Sequence, residues 1–222
     1  KDDLSIFRHI HPYFDPVTGR FQITLNMPLS DPDNFHTPNA IPEPGMYMIM
    51  ADVEIKSVGM RMGHKMVHTM GQEVTASLNL DPVTSAGHIE KHLKFGEKNY
   101  KIHMGKEITT GCSGQLVEFQ ISLFLQNEQG IYEPVLDAQD WLTQGAHSVW
   151  VSEGLMGAGK MHFAHMHSKL PQESPTFIFN FHDNNKMKPG IQKVWFQIKH
   201  QDEVLTIPII FDYQLPIARP QC

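Results

Sequence analysis

Polar and apolar positions in this chain alternate over short stretches and seldom recur at helical spacing. Runs rich in Val, Ile, Phe, Tyr and Trp are bounded by Gly, Pro, Asn and Asp, the pattern of strands joined by turns. Strands are predicted over residues 20–26, 46–56, 115–126, 147–152, 176–181, 192–200 and 204–213. Turns such as Asn127-Glu128-Gln129-Gly130 and Lys188-Pro189-Gly190 separate them. Short strands at this spacing predict an all-β fold, an immunoglobulin-like or cupredoxin-like β-sandwich. The sharpest alternation runs from residue 60 to residue 70, where every second position is Met or His: Met60, Met62, His64, Met66, His68 and Met70. As a strand, this segment lines one face with thioethers and imidazoles.

The chain also repeats itself. Phe7-Arg8-His9-Ile10-His11 matches Phe163-Ala164-His165-Met166-His167, both reading Phe-x-His-apolar-His. Each copy continues into an aromatic-rich strand, a Pro-Gly turn (Pro44-Gly45 or Pro189-Gly190) and a long strand. The first copy carries a Pro/Asp/Asn-rich loop insertion over residues 30–43 and lacks the strands that precede the second copy from about residue 98. Residues 1–72 are therefore expected to form a partial N-terminal copy that includes the Met/His strand, either the back half of a truncated first domain or an extension docked on a complete second domain, with the boundary near Gly71-Gln72. Residues 73–222 are expected to form a complete β-sandwich domain. An incomplete sandwich leaves a strand edge open, which points to a homodimer or a partner chain that closes it.

With 222 residues and 41% hydrophobic content, the chain is long enough for a substantial core. A net charge of −6, with no Lys/Arg cluster, argues against a nucleic-acid partner. No apolar run is long enough to span a bilayer, and Lys1-Asp2-Asp3 does not begin a signal peptide. Cys112 and Cys222 allow one disulfide or two free thiols and leave the compartment open.

Thioethers and imidazoles without neighbouring thiolates or carboxylate runs suit copper, as Cu(I) or Cu(II), better than calcium, magnesium or structural zinc. Methionine is also an adaptable core filler, and a strand with one buried face shows the same period. The two histidines weigh against that reading, because each would need a buried hydrogen-bond partner. His9 and His11 are candidate ligands that could complete a site with His64, His68 and two of the methionines. Met46, Met48 and Met50 alternate too, but their second-copy counterparts Ile191, Lys193 and Trp195 favour packing there. His36 and His103-Met104 read as surface positions. The Gly-rich segment from Gly154 to Lys160 lacks the Ser/Thr that follows the lysine of a phosphate loop. Cys112 has no identifiable base and no serine occupies a nucleophile elbow, so the chain is not expected to be an enzyme.

Several residues carry a resemblance: Gly145-Ala146-His147-Ser148-Val149-Trp150, then His162-Phe163-Ala164-His165-Met166-His167, then Lys188-Pro189-Gly190 and Lys193-Val194-Trp195. Over roughly residues 98–213, with a half copy over 4–58, the chain resembles the secreted bacterial β-sandwich domains of the YtkA-like type. Those domains occur beside copper-resistance and heavy-metal transport components. The usual proline after His-x-His is kept as Pro12 but replaced by Ser168 in the second copy, and the methionine usual before His147 is absent. The resemblance implies a periplasmic or secreted location and a strand neighbourhood that brings His147 to His165 and His167, with Met161 or His162 as further ligands. The expected function is an extracytoplasmic copper metallochaperone or buffer that hands metal to a protein partner, with zinc as the less suited ion. The alternative is an immunoglobulin-like interaction module whose histidines are structural.

Overall fold

The computed structural model describes residues 12–23, 45–55, 59–69, 79–84, 88–111, 114–152, 163–183 and 190–213. Among them every regular element is a strand. The chain divides into two compact units, Lys1–Leu78 and Asn79–Cys222.

In the first unit, β1 (Tyr13–Asp15) and β2 (Arg20–Gln22) form a small antiparallel hairpin. The Asp15 carboxylate organises its turn. It accepts from the Thr18 hydroxyl at 2.7 Å, the Val17 N–H at 2.9 Å and the Gln22 amide at 2.8 Å, and these bonds, Thr18 first, hold its pKa below the usual carboxylate value. The predicted strand over 20–26 ends early at Gln22; residues 24–26 lie outside the described residues. A second hairpin pairs β3 (Gly45–Ile55) with β4 (Gly59–Thr69), antiparallel and in unbroken register from Gly45↔Thr69 to Ile55↔Gly59.

The second unit is a β-sandwich. Its strands are β5 (Ile89–Phe95), β6 (Lys98–Gly111), β7 (Gly114–Gln126), β8 (Tyr132–Pro134), β9 (Ala146–Ser152), β10 (Phe163–Ser168), β11 (Thr176–Asp183), β12 (Gly190–His200) and β13 (Glu203–Tyr213). One antiparallel sheet has the order β10-β9-β12-β13; the other has β11-β7-β6-β5, with β8 added against β7. Alternate residues of both sheets meet in a single core. Ala146, Trp150, Val194, Phe196, Ile198, Leu205, Ile207 and Ile209 come from the first sheet, and Tyr100, Ile102, Phe119, Ile121, Leu123, Phe177 and Phe179 from the second. Rings interlock across the gap: Phe119 and Trp150 centroids lie 4.1 Å apart, and Phe179 and Phe196 lie 5.2 Å apart.

Both open sides of the sandwich are tied. On one side the Ile178 N–H of β11 donates to Ser168 Oγ of β10 at 3.0 Å. On the other, Asp81 bridges β13 and β5: its Oδ2 accepts the Ile210 N–H at 2.7 Å and its Oδ1 meets Lys91 Nζ at 2.7 Å. Lys91 Nζ also donates to the Pro208 carbonyl at 2.7 Å. Such ties occupy edge groups that would otherwise invite strand pairing from outside.

One expectation needs correction, and one strand was not singled out. The long strand β6 does not stand out in the sequence because its core side alternates Tyr100, Ile102 and Met104 with Lys101, His103 and Gly105, a pattern poor in β-branched residues. Met104, read as a surface position, is buried in the core, because strand alternation sends it inward while His103 beside it faces solvent.

Candidate metal centre

Strand β9 lies between β10 and β12, and all seven of its residues are buried. Its even-numbered residues face the sandwich core, so His147, Val149 and Val151 lie on the opposite face of the sheet. The β9–β10 register pairs His147 directly with His167 and Val149 with His165. All three histidines therefore share that outer face near the β10 edge. His147 is buried, while His165 and His167 are partly exposed.

One ring nitrogen from each histidine lies within 4.8 Å of the others. Among the described residues this is the one group of three or more His, Cys, Asp or Glu side chains that brings donor atoms so close. His147 Nδ1 and His165 Nε2 are 3.4 Å apart. The His167 ring stands edge-on to both, with centroids at 4.6 Å in each case. Two nitrogens bound to one tetrahedral ion at about 2.0–2.1 Å sit roughly 3.3 Å apart, so the first pair already has the spacing of a chelating pair.

The tautomer of His147 follows from its other nitrogen. Nε2 lies 2.9 Å from the Trp141 carbonyl oxygen. A carbonyl can only accept, so Nε2 carries the hydrogen and Nδ1 presents a lone pair toward His165. Where an imidazole does bind a metal, a hydrogen bond of this kind from its other nitrogen fixes the ring's orientation. His165 Nε2–H can donate to that lone pair.

The Trp141 carbonyl is presented by an unusual turn. Leu142 and Thr143 both adopt positive φ, 55° and 66°. Trp141 and Gln144 close the turn with N–H to carbonyl bonds in both directions, at 2.6 and 3.1 Å. Such turns ordinarily use Asn or Gly, and a left-handed backbone at Leu and Thr costs about 1–2 kcal/mol per residue. The next residue, Gly145, donates its N–H to the Ser168 carbonyl at 2.8 Å. A Cβ there would sit 2.1 Å from the Leu170 backbone nitrogen, so only glycine lets the chain after β10 cross so closely. Neither the Trp141 carbonyl nor this crossing has a signature in side-chain pattern, and the sequence reading passes over both.

Of the other predicted ligands, Met60, Met62, His64, Met66 and His68 alternate along β4. His9, His11, Met70, Met161 and His162 lie outside the described residues, as do His36, Cys112, Cys222 and residues 154–160. Elsewhere in the sandwich, His92, His103 and His200 serve in hydrogen-bond networks. The Glu90 carboxylate joins His103 Nε2 and His92 Nε2 on the face of β5 and β6, and these bonds, His103 first, lower its pKa. Buried His200 links the Tyr100 hydroxyl at 2.9 Å to Asp137 at 3.1 Å, tying the second sheet to the end of β12.

No curated protein and no solved structure matches the chain. One family model, described as a domain of unknown function (DUF8832), matches residues 95–214, which contain the three-histidine cluster and every strand from β6 to β13. That match spans more than half of the chain, and the protein belongs to the DUF8832 family.

Proposed function

We propose that this protein binds copper through His147, His165 and His167 and acts as a metal carrier or buffer. The observation that carries the reading is the geometry of the trio: His147, oriented by its Nε2 bond to the Trp141 carbonyl, places Nδ1 3.4 Å from His165 Nε2, with the His167 ring beside both. Three imidazoles suit Cu(II) and Cu(I), and zinc is the ion most able to compete. Two of the ligands stand on edge strand β10 and are partly exposed, which leaves room for a partner to take the ion. The resemblance to YtkA-like domains supports the same reading and an extracytoplasmic setting.

The test is titration of the metal-free protein with Cu(II), followed by electron paramagnetic resonance for nitrogen hyperfine coupling. One equivalent bound through imidazole nitrogen is expected, with affinity about 100-fold or more weaker in His165→Gln/His167→Gln. Uptake unchanged in the double variant overturns the site. Zinc uptake in place of copper overturns the ion, and no uptake of either leaves the histidines structural, as an interaction module would have them.

A further inference from the structure

The β3–β4 register assembles something that neither strand carries alone. Facing residues of an antiparallel pair share a face, and the rungs on one face are Met46↔His68, Met48↔Met66, Met50↔His64, Asp52↔Met62 and Glu54↔Met60. Every apolar residue on this face is a methionine. The other face holds Tyr47↔Val67, Ile49↔Lys65, Ala51↔Gly63, Val53↔Arg61 and Ile55↔Gly59. All the branched aliphatic and aromatic residues of the hairpin are thus on the face opposite the methionines.

That segregation gives the two faces different chemistry. This chain builds its described core from Phe, Ile, Leu, Val, Trp and Tyr and admits methionine there only at Met104 and Met166. A hairpin face made for burial would be expected to use the same residues. Instead, this one collects six of the chain's thirteen methionines with two histidines and two carboxylates. We infer that the juxtaposition of Met46, Met48 and Met50 with His68, Met66 and His64 on one hairpin face forms a binding site for a soft monovalent cation, Cu(I) or its redox-inert analogue Ag(I).

The spacing fits one ion. Facing Cβ atoms lie about 4.5–5.5 Å apart, and successive rungs on one face about 7 Å. Two neighbouring rungs offer three thioethers and one imidazole, whether Met46/His68 joins Met48/Met66 or Met50/His64 does. Both sets use the Met48/Met66 rung, so one ion centred there excludes a second of equal affinity. Thioether-rich sets of this kind select soft monovalent copper, while the Asp52 and Glu54 rungs bring hard carboxylates that end the site. This inference does not rest on the histidine cluster of the second unit.

The test uses the full chain and Ag(I) alone, titrated against a chromophoric chelator, while methionine methyl resonances are followed by NMR. Saturation of this face by one equivalent is expected, with the methyl shifts confined to its methionines. The variant Met48→Leu/Met50→Leu/Met66→Leu keeps side-chain volume and should weaken Ag(I) binding at this face about 100-fold or more with an unchanged far-ultraviolet spectrum. His165→Gln/His167→Gln should leave those methyl shifts unchanged, so failure of the histidine site and failure of this one are told apart. The inference is overturned if the wild type takes up no Ag(I) above chelator background or if the leucine variant retains full affinity. It is also overturned if the shifts fall on other methionines, a readout that stands even if the variant does not fold.

Discussion

Gly145→Ala tests the local architecture on which the three-histidine cluster depends. The added Cβ would lie 2.1 Å from Leu170 N and 2.4 Å from both Leu170 Cα and Lys169 C, all backbone atoms that no rotamer change can move aside. Real contacts stay beyond 3.0 Å, so the chain at Lys169 and Leu170 must retreat by roughly 1 Å. That retreat strains the Gly145 N–H to Ser168 carbonyl bond and pulls on Ser168, whose hydroxyl accepts the Ile178 N–H of the second sheet. Overpacking costs about 1–3 kcal/mol and the weakened hydrogen bond about 0.5–1.5 kcal/mol, so a loss of about 2–4 kcal/mol is expected. Against a total of about 5–15 kcal/mol this is a large share, and at about 2–4 °C per kcal/mol the melting temperature should fall by roughly 5–15 °C. Since Gly145 is two residues from His147 and Ser168 adjoins His167, copper affinity should weaken together with stability. Thermal and urea unfolding of the variant, with copper titration alongside, make the measurement. A melting temperature within about 2 °C of wild type refutes the close-crossing argument.

Three further substitutions probe separate features. Tyr100 is fully buried, and that burial, with smaller effects from Glu203 and Asp137, raises its pKa above 10.0. The folded state therefore holds the phenolic proton more tightly than the unfolded chain, a stabilisation fully present below pH 10 and lost as pH rises through the raised value. Tyr100→Phe should flatten the alkaline fall in urea-measured stability and cost about 1–3 kcal/mol at neutral pH, because His200 Nδ1 loses its donor; parallel alkaline falls in the two proteins would sink this account. Thr143→Gly relieves a β-branched residue at φ 66° on an exposed turn position and should stabilise by about 1 kcal/mol, raising the melting temperature by about 3 °C; a destabilised variant would show that the turn is not strained. Asp81→Ala leaves the Ile210 N–H and Lys91 without their shared carboxylate and should cost about 2–4 kcal/mol by urea unfolding, whereas a cost under 0.5 kcal/mol would mean that Asp81 does not tie β13 to β5.

Strand positions were readable wherever apolar alternation is carried by Val, Ile and Phe, as in β7, β12 and β13, whose predicted limits differ from the observed ones by a residue or two. β6 was harder to see because Tyr100, Ile102 and Met104 are interleaved with Lys101, His103 and Gly105, and only the neighbours β5 and β7 supply the hydrogen-bond partners that hold fourteen residues extended. His165 and His167 were visible because His-x-His on a strand puts both rings on one face. Their meeting with His147 depends on a β9–β10 register pinned by the Gly145 crossing, and its orientation on a backbone carbonyl held by a turn without Asn or Gly. Side-chain chemistry encodes neither.

The methionines of β3 show what a repeat leaves undecided. Reading Met46, Met48 and Met50 through Ile191, Lys193 and Trp195 assumes that equivalent strands have equivalent surroundings. β12 runs between β9 and β13 in a four-stranded sheet and is buried along almost its whole length on both faces, so its residues are chosen for packing against neighbours on either side. β3 pairs with β4 in a two-stranded sheet, and Ile49 and Ala51 on its other face are exposed. A strand with such a neighbourhood is under no pressure to match β12 in packing, and its partner decides what its side chains do. Because β4 contributes His64, Met66 and His68 at the facing positions, the same Met-x-Met-x-Met that reads as filler beside Trp195 becomes half of the proposed soft-donor face here. The spacing of Met and His along β4 raises the proposed chemistry; the pairing with β3 adds the rest of the proposed donor set, and pairing is the one property that a single strand's sequence does not contain.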